Sequence, residues 1–151
     1  MTIDINTLSS LLSCKANQHN FDKYWNRISL HLRMDMADSS CTPSNILTVL
    51  STDNDFDVRR HVAMNTSITP YIICRLSTDE DLYVRRYLAE NPSTPSEILE
   101  KLSKDEDKYV RNCIARNPNT PIKILKNLHI DEFLFIQNSV TSNKAWIKHE
   151  N

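Results

Sequence analysis

The strongest constraint on this chain is its agreement with itself. Residues 94–119 (TPSEILEKLSKDEDKYVRNCIARNPN) fall on TPIKILKNLHIDEFLFIQNSVTSNKA when moved 26 positions forward and on ITPYIICRLSTDEDLYVRRYLAENPS when moved 26 back. A further step back reaches residues 42–67, TPSNILTVLSTDNDFDVRRHVAMNTS. The columns Ile46/Ile72/Ile98/Ile124, Leu50/Leu76/Leu102/Leu128, Asp53/Asp79/Asp105/Asp131, Val58/Val84/Val110/Ile136 and Asn65/Asn91/Asn117/Asn143 all keep that interval. A fixed period in this range marks stacked units, none of which can bury its apolar face alone. The expected architecture is an all-α solenoid forming one elongated domain.

Each repeat reads as two short helices. Thr-Pro offers a capping oxygen followed by a ring with helical φ, and Thr94 with Glu97 has the spacing of a capping box. The pair slips by one residue at Thr69-Pro70, so the first helix there is expected to begin late. Ile98, Leu99 and Leu102 form one apolar stripe. Ser103 and Asp105 are expected to cap a second helix running through Val110, Ile114 and Ala115. Its stop is assigned to Asn117-Pro118, because a residue before proline is steered out of the helical region.

On a wheel of about 100° per residue, Arg59, Arg85 and Arg111 fall within the apolar arc of the second helix. An unpaired buried charge is very unfavourable, so each needs a partner. The aspartates six positions upstream supply one. Asp53/Arg59, Asp79/Arg85 and Asp105/Arg111 are therefore read as a structural ladder, each arginine reaching its own repeat's aspartate and a neighbour's. Arg60 and Arg86 point away from the arc and are expected to be solvated.

The columns on that outer side change identity from copy to copy, as a face free of packing demands would. Asp57, Arg60, His61, Tyr83, Arg86, Tyr87, Tyr109, Asn112, Cys113 and Arg116 are the candidate partner-binding residues. Tyrosine and arginine are enriched where binding energy concentrates. Catalysis needs unlike groups converging on a point, whereas a repeat delivers like groups in rows. The five histidines show no metal-ligand spacing. Paired carboxylates such as Asp79 and Asp81 lie at helix starts, where they complement the dipole. Ser51, Ser77 and Ser103 share one inter-helix position and read as caps, not nucleophiles.

Glycine is absent, where a chain of this size would average about ten. That removes the phosphate loop, the dinucleotide fingerprint and the nucleophile elbow together. With 18 basic and 19 acidic residues the net charge is −1, so no overall basic field points to duplex nucleic acid. Cys14, Cys41, Cys74 and Cys113 form no C-x-x-C pair. Stacked helices stand beyond ordinary disulfide reach, so free, mostly buried thiols in a reducing cytoplasm are expected. Neither a leader nor a membrane span is legible.

At the N-terminal end, residues 1–15 have a helical apolar spacing that could cap the first repeat. Residues 16–41 form a degenerate copy: Leu32, Arg33, Met36 and Ala37 occupy the places of Val58, Arg59, Val62 and Ala63, and Phe21 and Tyr24 the first-helix columns. Arg27 stands at the aspartate position, so the ladder should be broken there, and Trp25 and Ile28 add apolar bulk. In the last copy, residues 120–145, arginine gives way to Gln137 and Asn138, and residues 133–136 are unusually apolar. Three readings stay open: a cap closed by Trp146 and Ile147, a homodimer surface, or a docking patch. Of the tail, residues 146–151, the part from Lys148 to Asn151 is expected to fray.

Residues 42–145 resemble the variant leucine-rich repeat family through the pattern D-x-D-x-x-V-R-x-x-V-A-x-N-P-x-T-P, present as DEDLYVRRYLAENPSTP and DEDKYVRNCIARNPNTP. The resemblance implies a right-handed superhelix of short helices, the first of each pair often of 3₁₀ type. It is similar to HEAT repeats in carrying Asp and Arg six residues apart. One member of the family holds an iron–sulfur centre on an N-terminal cysteine cluster that this chain lacks, so no cofactor is expected. The leading expectation is a non-enzymatic scaffold for another protein. Alternatives are a nucleic-acid-binding HEAT-like module, with Tyr83, Arg86, Tyr109 and Arg116 meeting bases or phosphates, and a self-assembling structural protein.

Overall fold

A computed structural model describes residues 24–150. The expected cap over residues 1–15, together with Cys14, His19 and Phe21, lies outside the described residues. Among those described, the structure is helical and contains no strand. After α1 (Leu30–Asp38) come four pairs: α2 (Ser44–Leu50) with α3 (Phe56–Met64), α4 (Pro70–Leu76) with α5 (Leu82–Glu90), α6 (Ser96–Leu102) with α7 (Lys108–Arg116), and α8 (Ile122–Leu128) with α9 (Leu134–Thr141). A last helix, α10 (Lys144–Glu150), rests on α8 and α9. The helices α1, α3, α5, α7 and α9 pack each on the next, and the intervening short helices bridge them. This is a stacked helical repeat.

The first helices are seven-residue α-helices, and no 3₁₀ stretch occurs among the described residues. Leu47, Leu99 and Leu125 each donate to the proline four residues back at 3.0–3.1 Å, so the opening turn closes as α. The threonines behave differently from the expected caps. Thr42, Thr94 and Thr120 are buried, and their hydroxyls donate back to Met36 O, Leu88 O and Ile114 O at 2.6–2.7 Å. A buried hydroxyl needs an acceptor, and here it satisfies a carbonyl near the end of the preceding helix. The helix caps are then Pro43, Pro95 and Pro121, and the capping box at Thr94 and Glu97 does not form. At the slipped pair the roles move by one place: Thr69 caps Ile72 N, Pro70 is the first helical residue, and buried Ile68 fills the threonine position. Pro70 and Ser96 begin their helices one period apart, so the helix is not late.

The second helices are capped by Asp55, Asp81 and Asp107, not by the serine and aspartate expected. Ser51, Ser77 and Ser103 end the first helices. Asp105 accepts the amide of Asp107 at 2.9 Å, a local turn that feeds the cap. Proline is also not what stops these helices, since α3 ends before Asn65-Thr66 at the same register as α5 before Asn91-Pro92. No described residue has positive φ, so the turns need no glycine.

The core is a double column. Leu47, Leu50, Ile72, Leu76, Leu99, Leu102 and Leu125 come from the first helices, and Val58, Val62, Val84, Leu88, Ile114 and Ile136 from the second. Each fully buried aliphatic side chain contributes about 1.5–3 kcal/mol. In α1, Met36 and Ala37 keep these positions, but Leu32, in the place of Val58, is 43% exposed.

Candidate functional site: an ion ladder and the second-helix seams

The ladder arginines grip forward. Nε and Nη2 of Arg59 donate to the two carboxylate oxygens of Asp79 at 2.8 and 2.9 Å, and Arg85 and Arg111 do the same to Asp105 and Asp131. Within its own repeat each arginine meets carbonyls instead: Nη1 donates to the oxygens of Asp53, Asp79 or Asp105 at 2.8–3.0 Å. A planar five-donor fork can serve both duties, and the paired bonds fix its direction. The carboxylates are oriented in turn by the amides of Asp81, Asp107 and Phe133. Carboxylate hydrogen bonding raises the pKa of Arg59, Arg85 and Arg111 despite burial, which acts the other way. Burial pushes the Asp131 pKa up, but the Arg111 bond, the Phe133 amide and the Arg111 charge together hold it below its usual value. Exposed Glu80, Glu106 and Glu132 stand 3.5–3.8 Å from the same guanidiniums. Such rim pairs contribute little.

At the first rung Arg33 reaches Asp53 at 3.2 Å. The ladder therefore includes the degenerate repeat, whose Arg27 is exposed. It ends at Gln137, whose amide donates to Asp131 O at 2.7 Å. Glutamine thus keeps the arginine's inward bond and lacks the arm that reaches onward.

A second ladder, of asparagines, has no functional signal in the sequence beyond its column. Nδ2 of Asn65, Asn91, Asn117 and Asn143 donates at 2.7–2.8 Å to the carbonyls of Ala37, Ala63, Ala89 and Ala115 in the previous repeat. It also donates to the preceding Ser39, Asn65, Asn91 or Asn117 oxygen at 3.0–3.2 Å. Each Oδ1 accepts an amide two residues on. The helix ends' orphan carbonyls are thereby satisfied across the repeat boundary.

The proposed partner-binding residues prove to be seam residues as much as surface ones. His61 Nδ1 lies 2.7 Å from Asp38, Cys113 donates to Glu90 at 3.2 Å, and Ser139 donates to Asn112 at 2.7 Å, each across adjacent second helices. Arg60 and Arg86 are half-buried rather than solvated. Arg60 pairs with Asp57 at 2.9 Å and lies over Tyr87, itself packed against the core. Arg86 sits between Tyr83 and Tyr109, 5.5 and 5.4 Å from their ring centres. Tyr83 and Tyr109 are each 47% exposed, and Phe135 continues the row 6.0 Å beyond Tyr109. Arg116 is exposed at the end of α7. Burial, then Glu90, pushes the Cys113 thiol up to about 12. Cys41 and Cys74 are exposed and all three described cysteines are free, so mostly buried thiols were the wrong expectation.

In the last repeat Ile136 is buried and Phe133 half-buried, with Lys108 and Arg111 over the Phe133 ring. Trp146 packs on His129 at 4.7 Å between ring centres. Leu134 stays 67% exposed and Ile130 81%. Among the described residues no group of His, Cys, Asp and Glu could hold a metal, and no helix is long and apolar enough to cross a membrane.

Residues 83–107 match the leucine rich repeat variant family. The match starts in the first turn of α5 and ends on the cap of α7, just under one period. No curated protein and no solved structure matches the chain.

Proposed function

We propose that this chain is a non-enzymatic, right-handed α-solenoid of the variant leucine-rich repeat kind that binds another protein through the face of its second helices. The observation that carries this reading is the row Tyr83, Arg86, Tyr109 and Phe135. It crosses three repeats on residues one period or less apart and leaves large aromatic area open beside a cation. Such combinations supply contact area with little ordering cost. The ladder supports binding less well, because its guanidiniums are already paired with aspartates. The acidic rim also disfavours nucleic acid.

The test compares captures from native lysate of the source cell. Wild type and Tyr71→Ala, which changes an exposed tyrosine on α4, should retain the same specific protein. Tyr83→Ala with Tyr109→Ala should lose it while keeping the helical signal. Equal capture by all three removes the second-helix face from consideration.

The exposed Leu134 and Ile130 favour a second reading, a homodimer through the last repeat. It predicts a concentration-dependent mass in light scattering that Leu134→Asp abolishes, and a constant monomer mass rules it out.

A further inference from the structure

We propose that Arg86 is the anchor of this face and takes a carboxylate side chain from an acidic segment of the partner protein. The inference rests on the reading of the second-helix face as a protein-binding surface. Among the described residues, every other buried or half-buried arginine has an aspartate between 2.8 and 3.2 Å away: Arg33 and the three ladder arginines across a repeat boundary, Arg60 within its own helix. Arg86 has none. Its equivalent one period back, Arg60, is neutralised by Asp57, and at that column Arg86 finds Tyr83 instead. Two tyrosine rings hold its guanidinium in place, and its buried Nε has no hydrogen-bond partner. Glu90, one turn further along α5, accepts from the Cys113 thiol.

Tyr83, Arg86, Tyr87 and Glu90 line an opening of about 230 Å³. Small-molecule sites usually run from about 300 to 1,000 Å³, so this one has the size for a side chain. A cation fixed between aromatic walls with no carboxylate in direct ion-pair contact selects for an anion with apolar neighbours. Lys108, whose Nζ lies 5.5 Å from the Tyr109 ring, adds positive charge nearby. Glu90 opposes it and confines the incoming carboxylate to the Arg86 side.

The experiment pans a random dodecapeptide display library on the full chain, on Arg86→Gln and on Arg86→Lys, after circular dichroism has shown equal helicity and melting. Wild-type binders should be enriched in Asp and Glu at least about threefold over the input. Arg86→Gln should return that enrichment to one, and Arg86→Lys should keep part of it. Selected acidic peptides should lose affinity as salt rises and should not be displaced by a single-stranded oligonucleotide. Neutral or basic binders, enrichment that survives Arg86→Gln, or displacement by the oligonucleotide would overturn the proposal. If neutral binders are lost in Tyr83→Ala with Tyr109→Ala, the face stands and only the anion anchor fails. If that double variant binds like wild type, or if wild type selects nothing, both readings fall.

Discussion

At the ladder, successive repeats are joined by the same atoms each time: an arginine fork on the next aspartate, an asparagine amide on the previous alanine carbonyl. Across the second-helix seams, equivalent positions are joined by a different pair at every step, His61 to Asp38, Arg60 over Tyr87, Cys113 to Glu90, Ser139 to Asn112. The first arrangement makes repeats interchangeable, since any rung fits any other. The second makes them distinguishable, because moving one copy would set histidine or thiol against the wrong neighbour. The contrast teaches that copy-to-copy variation does not by itself mark a free surface. Lateral neighbours can vary together, and only the part of a variable column left over after the seams close is available to a partner.

The largest blow to this division should come at a rung. Arg85→Ala strands the buried Asp105 carboxylate and two carbonyls, and should cost about 3–5 kcal/mol in denaturant unfolding. A loss below about 1 kcal/mol would place the ladder among ordinary surface pairs. Asn91→Ala leaves the Ala63 and Asn65 oxygens and one amide without partners, and about 2–4 kcal/mol is expected. If it matches a solvent-exposed substitution, the second ladder carries no load.

Both ladders stood as columns in the sequence, yet their connectivity did not. In a 26-residue period an arginine six positions after one aspartate is also twenty before the next. The two spacings are the same column, so only coordinates show that the carboxylate comes from the following repeat. The asparagines were visible as a column for the same reason, but an unvarying polar residue before proline is explained equally by a forced helix stop. Thr66 after Asn65 was the available clue that proline is dispensable. The half-burial of Arg60 and Arg86 was not legible for a different cause. A wheel describes one helix against one core, whereas a helix in a stacked layer also has two flanks, and Arg60, Arg86 and Cys113 fall on them. Period, helix pairing and core columns were legible because each depends on burial alone.

The seams themselves should yield smaller numbers. Asn112→Ala removes one hydrogen bond at a half-buried site and should cost about 0.5–1.5 kcal/mol, and combining it with Ser139→Ala should cost little more. Full additivity would show that the seam is not a pair. The least perturbing probe is iodoacetamide at pH 8, which should label Cys41 and Cys74 and spare Cys113, whose thiol burial holds near 12. Because that folded value lies above the unfolded one, the neutral thiol's contribution is whole below about pH 9 and is lost as pH rises toward about 12. Cys113→Ala should flatten that alkaline slope.

The central claim, that the charge is locked between repeats and not within them, is tested most directly by two double-mutant cycles on Arg85. Coupling between Arg85→Ala and Asp105→Ala should be large, on the order of 2–3 kcal/mol. Coupling with Asp79→Ala, whose carboxylate belongs to Arg59, should stay within about 0.5 kcal/mol. A larger coupling to Asp79 than to Asp105 would contradict the account, because it would close each rung inside its own repeat and leave the stack without its ladder.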